Sequence, residues 1–329
     1  MAADENKIID IYGLSIMYYS DGAAIQAVRG VDITLEKGEC VGIVGESGCG
    51  KSTLALAVLR LINKAEGKIT DGKIGLKGKD LREITDEEMR KIRGNQISMI
   101  LQDPFNSLNP VINIREQLRE AYFVHNPEVK EMEKVDKIIQ EGLKEVQLPS
   151  NESFLNSYPH QLSGGMLQRV SIAAALINSP EVLIADEPTS NLDVTIQKQI
   201  METLKNLKEI HNLSMIFITH DLNLVSSFAD TIYILYAGKV MEYGPVSDIF
   251  NDPAHPYTKG LLKALPRLGE KERIYPIPGN VPHPSDLPPG CSFAPRCGLA
   301  GEECKAEGIE MVEVGSGHYA RCIKINDDK

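Results

Sequence analysis

The sequence has no long apolar run, no basic surplus and no basic leader, and each lack removes a class of function. Its best apolar stretch, "VSIAAALI", ends at Asn178, well short of the roughly 20 residues that a membrane-spanning helix needs. The formal net charge is −11. A dedicated nucleic-acid binder needs a basic face to neutralise phosphates, and an anionic membrane leaflet repels such a chain. The N-terminus, "MAADENKIIDIYG", lacks the basic segment and apolar stretch of a secretory signal. A reducing cytoplasm is therefore expected, where disulfides are rare. There is no internal repeat and no low-complexity tract.

What is present reads as α/β. The chain has 329 residues, enough for one large domain with an appendage. Four short apolar runs, "CVGIVG", "ISMILQ", "EVLIAD" and "SMIFIT", have the character of buried parallel strands. Helical patterns lie between them. From Val194 to His211 the apolar side chains Ile196, Ile200, Leu204, Leu207 and Ile210 mark one face of a helix. Earlier, "IQAVRGVDITLEKGE" alternates with period two and predicts a half-exposed antiparallel strand. The fold expected is an α/β core with an N-terminal antiparallel β layer. Eight of the eighteen prolines lie between Pro266 and Pro295, which disfavours regular helix there. A core over residues 1–265 is thus expected to give way to a loop-rich, cysteine-containing region over 266–329.

The chemistry begins at "GESGCGKST": Gly45, Glu46, Ser47, Gly48, Cys49, Gly50, Lys51, Ser52 and Thr53. A strand pattern precedes it and a helix pattern follows, the context that makes G-x-x-x-x-G-K-[ST] a phosphate-binding loop. The glycines let backbone N–H groups turn inward around an anion, and the helix aims its positive end at the same place. Lys51 supplies a cation for the β- and γ-phosphates and Ser52 a hydroxyl for Mg²⁺. "EVLIADEP" ends a buried strand in Asp186 and Glu187. Neighbours at a strand end point differently, so Asp186 is suited to Mg²⁺ and Glu187 to polarising an attacking water. His220 closes "SMIFITH" as a candidate γ-phosphate sensor. Gln102 closes "ISMILQ" within reach of Mg²⁺ or water.

With "LSGGMLQRVSIAAAL" at Leu162 onward, the chain resembles an ABC-type ATPase, the nucleotide-binding subunit of a transporter, over about residues 8 to 250. The resemblance implies a helical signature subdomain over about 103–178. It assigns the signature Ser163, Gly164, Gly165 and Met166 to a partner cassette's ATP, in a head-to-tail dimer. It places Asp193, in the D-loop "SNLD", at that interface. Glu187, His220 and Gln102 become the catalytic set, and Ser52, Gln102 and Asp186 the Mg²⁺ set. Tyr18 resembles the aromatic that stacks on adenine, with Tyr19 as the alternative. Met166 and Asn191 depart from the usual signature and D-loop residues; neither change removes a catalytic group.

"QDPFNSLNP", "IFNDPAHPYTKGLLKALP" and "IPGNVPHPSDLPPGCSFAPRC" are similar to the oligopeptide, dipeptide and nickel importer subfamily. This implies ATP-driven import of di- or oligopeptides. The implied partners are a second ATPase subunit, identical or paralogous, two transmembrane permeases and, indirectly, an extracytoplasmic peptide-binding protein. The chain would sit at the cytoplasmic face of the membrane. The alternatives are nickel or another small solute, or an ABC ATPase of DNA repair or translation. Only about sixty residues separate Gln102 from Ser163, too few for the long coiled-coil insertion of repair members.

Four of the six cysteines, Cys291, Cys297, Cys304 and Cys322, lie in the tail. No two are spaced two to four residues apart, as structural zinc ligands usually are. Iron–sulfur ligand spacings vary more, and some importer ATPases that the chain resembles carry a cluster in such a tail. A [4Fe–4S] cluster is expected first, Zn²⁺ second with His283 and His318 nearby, and a disulfide last. Cys40 and Cys49 read as packed side chains.

Overall fold

All five residues of Cys40–Val44 are buried, as a strand covered on both faces must be. The structure is a computed structural model that describes residues 6–20, 23–190, 192–265 and 276–325. The chain divides into two compact units, residues 1–82 with 218–329, and residues 83–217.

In the first unit, Lys7–Ser20, Ala23–Glu36, Gly67–Leu76 and Lys79–Asp80 form an antiparallel sheet in the order second, first, third, fourth. This is the expected β layer. The alternation of Ala23–Glu36 slips between two of its buried valines. Val28 faces Ile16 and Val31 faces Leu14, so one extra residue stands between the two valines. Gly30, at φ 65°, absorbs it as a bulge. Val28, Val31, Ile33 and Leu35 all stay buried.

Cys40–Val44 pairs in parallel with Thr231–Tyr236, which pairs antiparallel with Lys239–Pro245. The tail is less loop-like than its prolines suggest. His318–Ala320 adds antiparallel to Lys239–Pro245, and Val312–Gly315 adds to His318–Ala320. A buried polar knot fastens this edge. Glu242, 0% exposed, accepts from the backbone N–H of Ala254 at 2.7 Å and of His255 at 2.9 Å. His318 Nε2 lies 2.7 Å from Glu242 Oε1.

In the second unit, Ile97–Ile100 runs parallel to Val182–Asp186 with Ile100 opposite Ala185. The chain between them is helical where it is regular, from Pro104–Ser107 to Gly164–Leu176. Val194–His211 is a helix over the predicted span. Its buried face is Ile200, Met201, Thr203, Leu204 and Leu207, and Ile210 is 67% exposed, contrary to expectation. At a period of 3.6 residues Ile210 falls on the margin of a stripe whose centre lies nearer Leu204. The helix also ends just beyond it, at His211, with a left-handed Asn212 as its C-cap. Asn191 and the expected boundary at Pro266 lie outside the described residues.

Candidate active site

The loop after Cys40–Val44 is shaped by its glycines. A Cβ on Gly45 would lie 2.2 Å from the Leu235 carbonyl oxygen, and one on Gly50, at φ 103°, 2.5 Å from that of Ala27. Gly48 also has positive φ but faces open space. Backbone passes where side chains cannot, as a phosphate cradle requires. The helix Lys51–Val58 starts directly from Gly50. Lys51 is 5% exposed, and its ammonium donates to the carbonyls of Gly45 (2.7 Å) and Glu46 (3.1 Å). Ser47, Gly48 and Ser52 are exposed. Cys49 is buried, as expected, and burial pushes its thiol up despite the nearby Lys51 charge. The donors fit a triphosphate: a cation held across the loop, a hydroxyl beside it and a helix N-terminus beneath.

In the second unit the parallel register of Ile97–Ile100 with Val182–Asp186 brings Gln102 and Glu187 to the same strand ends. Gln102 Nε2 donates to Glu187 Oε2 at 3.1 Å. Asp186 is buried at 4% exposure. Glu187 adopts φ 45°, a left-handed conformation uncommon for a residue with a side chain and found where a reactive group must be aimed. Ser190 ties the corner: its hydroxyl donates to the Glu187 carbonyl at 3.0 Å and the Gln102 carbonyl at 3.4 Å. Sequence reading quoted this serine within "SNLD" but gave it no role, because its bond to the Gln102 carbonyl forms only on folding.

Ser163 is the N-cap of Gly164–Leu176, accepting from the Met166 N–H at 3.4 Å. A Cβ on Gly165 would sit 2.7 Å from Ile196 Cγ2, so glycine there lets the signature helix approach Val194–His211. Asp193 caps that helix, accepting from Thr195 and Ile196. His220 is exposed and directly follows the strand Ser214–Thr219. The Tyr18 ring lies over Gly67, where a Cβ would meet it at 2.6 Å. The more exposed Tyr19 ring lies under the Lys68 ammonium, 5.4 Å from its centroid.

Comparison with known proteins accords with this geometry. A family model described as ABC transporter matches residues 28–190. The chain is 44% identical over 324 residues, 98% of either chain, to the oligopeptide transport ATP-binding protein AppD of Bacillus subtilis. The chain belongs to the ABC transporter ATP-binding family. A second model, described as Oligopeptide/dipeptide transporter, C-terminal region, matches residues 241–304 of this ABC ATPase. A Brucella ovis protein named for peptide import is 44% identical over 96% of this chain and 97% of its own. Among solved structures, the ATP-binding cassette MJ0796, a dimer in a post-hydrolysis state with ADP and Pi, aligns at TM-score 0.64 and 32% identity. That match covers 72% of this chain and 98% of that one. The cassette cbiO1 of Clostridium perfringens aligns at TM-score 0.63 and 26% identity, over 75% and 92%. Among the described residues of this ABC ATPase, no helix is long and apolar enough to cross a membrane.

The tail of the cassette holds both a correction and a surprise. No disulfide joins its cysteines. The Cys291 N–H donates to the Cys304 carbonyl at 2.9 Å. Burial raises the thiols of Cys291 and Cys322, and the neighbouring tail thiols raise them further. Yet among the described residues no group of three or more His, Cys, Asp or Glu is arranged to hold a metal ion. The cluster or zinc expected on Cys291, Cys297, Cys304 and Cys322 thus has no support in this arrangement, because proximity without convergence makes no coordination shell. The surprise is Arg296, beside Cys297. Its Nη1 donates to both carboxylate oxygens of Glu46, at 2.9 and 3.0 Å. Sequence gave no sign of it, since 250 residues separate the partners.

Proposed function

We propose that this cassette is the ATP-hydrolysing subunit of a membrane importer of di- or oligopeptides. The observation that carries the reading is the match of residues 241–304 to the oligopeptide/dipeptide transporter C-terminal region, beyond the 28–190 match to the general ABC transporter model. Relatives named for peptide import along nearly the whole chain support it.

In this reading residues 1–265 form the ATPase domain, with a helical subdomain over about 103–178 and a distinct region over 266–329. Gly45 to Thr53 bind the triphosphate, and Lys51 exchanges the carbonyls of Gly45 and Glu46 for phosphate oxygens. Mg²⁺, when bound, neutralises phosphate charge; Ser52, Asp186 and Gln102 are the residues to hold it. Glu187, aimed by its left-handed backbone and held by Gln102, takes the proton of the attacking water. His220 contacts the γ-phosphate, and Tyr18 stacks on adenine. Ser163 to Met166 present a helix N-terminus to the ATP of a second cassette, with Asp193 beside it. The pair of cassettes sits against two permeases at the cytoplasmic membrane face, and an extracytoplasmic protein delivers the peptide. A [4Fe–4S] cluster on Cys291, Cys297, Cys304 and Cys322 stays part of the proposal. Three of those cysteines fall in the matched C-terminal region, and the thiols would have to converge before they could hold it. No catalytic step depends on it.

The test is transport. The chain, co-expressed with candidate permeases and placed in vesicles with the binding protein, is expected to accumulate labelled di- or oligopeptides only with MgATP. Accumulation of nickel but not peptide, or no association with any permease, would overturn the reading.

A further inference from the structure

Glu46 is bound on every side. Its N–H donates to the Tyr257 hydroxyl at 3.2 Å, its carbonyl accepts from Lys51 and its carboxylate accepts from Arg296. The Arg296 side chain is 6% exposed and that of Glu46 28%. The guanidinium is anchored at its far side by tail backbone, with Nε donating to the Pro278 carbonyl at 3.0 Å and Nη2 to that of Ile277 at 3.4 Å. Nη1 also reaches the Tyr236 hydroxyl at 3.3 Å. Burial works against the arginine's charge, but Tyr236 and Glu46 hold it charged more firmly than usual. Phe293, 3% exposed, plugs the same corner against Tyr236 and Tyr257.

A carboxylate in the second position of a phosphate-binding loop is an electrostatic liability. It repels a triphosphate over a few ångströms, in a part-buried setting where water screens little. Arg296 cancels that charge and fixes the residue whose carbonyl holds Lys51. We infer that Arg296 is a positioning residue for the nucleotide: the tail acts through it to neutralise Glu46 and hold the loop in shape for MgATP. The inference rests on the assignment of Gly45 to Thr53 as the ATP site.

The full-length chain is titrated with MgATP by calorimetry at low and at high salt. Arg296→Gln leaves Glu46 unpaired and is expected to raise Kd about tenfold, the scale of one charged partner lost. Added salt should narrow the gap to wild type, because the Glu46 side chain is 28% exposed and ions screen part of the repulsion. Arg296→Gln combined with Glu46→Gln should bind better than Arg296→Gln alone, since the repelling charge is gone. A merely structural arginine predicts the reverse, additive damage with no salt recovery. Ser292→Ala removes the hydroxyl that accepts from Arg29 at 2.8 Å and loosens the tail without touching Glu46. Its Kd should match wild type. Equal loss in Ser292→Ala, or no rescue in the double variant, would overturn the inference alone. A wild-type chain with no affinity for MgATP would overturn the site assignment along with it.

Discussion

In the proposed mechanism, single residues set the chemistry at two strand ends. Glu187→Gln keeps the hydrogen-bonding shape but cannot take a proton, so hydrolysis should fall by roughly 10²- to 10⁴-fold while MgATP binding persists. Single-turnover phosphate release beside equilibrium binding checks both halves, and a variant hydrolysing at the wild-type rate would remove Glu187 from the mechanism. The glycines separate by geometry. Gly45→Ala forces a methyl to 2.2 Å from the Leu235 carbonyl and should abolish binding or folding. Gly48→Ala meets no atom within 4 Å and should lose only about 1 kcal/mol, the cost of a left-handed alanine. Thermal unfolding with and without MgATP ranks the two. These residues were legible because each motif is local: a fixed spacing between a strand and a helix leaves few positions for the phosphate. Ser190 and Arg296 were not, since their partners are set by folding and leave no spacing to read.

Elements were legible where burial leaves a pattern, a continuous apolar run for a strand covered on both faces and a stripe for a helix. The four apolar runs became strands, and Val194–His211 a helix with the predicted ends. The misplacement of Ile210 shows the limit, because a stripe read from spacing carries no centre until something packs on it. The helix Pro256–Lys263 carries its own pH dependence. Its cap, His255, accepts from the Tyr257 N–H at 3.0 Å through Nδ1, which it can do only with that nitrogen deprotonated. Burial lowers its pKa to about 4, with Glu242 pulling upward and Lys259 downward. The unfolded chain binds this proton near pH 6.5 and the folded one does not. The stabilisation is thus whole above about pH 6.5 and is lost as pH falls towards 4, up to about 3 kcal/mol. Urea midpoints measured from pH 7 to 4.5 should fall more steeply for wild type than for His255→Asn, which retains a capping oxygen. Parallel curves would refute the role.

At the scale of the molecule, the tail was the part hardest to foresee. Its prolines announced loops, but two of its strands extend the sheet and one of its arginines reaches the phosphate loop. Neither follows from composition, because sheet edges recruit strands by unpaired backbone rather than by side-chain pattern. Anaerobic purification followed by iron, zinc and acid-labile sulfide measurement settles the cysteines. About four irons with matching sulfide would establish the cluster and require the thiols to converge further than they do here. One zinc without sulfide would make the tail a zinc module. The buried pairing of Glu242 with His318 carries a consequence for how such chains are trimmed. A chain ending before His318 would lose both the imidazole that Glu242 meets and the strand paired beside it, and should be less stable. The segment that looks like an accessory therefore completes the surroundings of a side chain buried in the core.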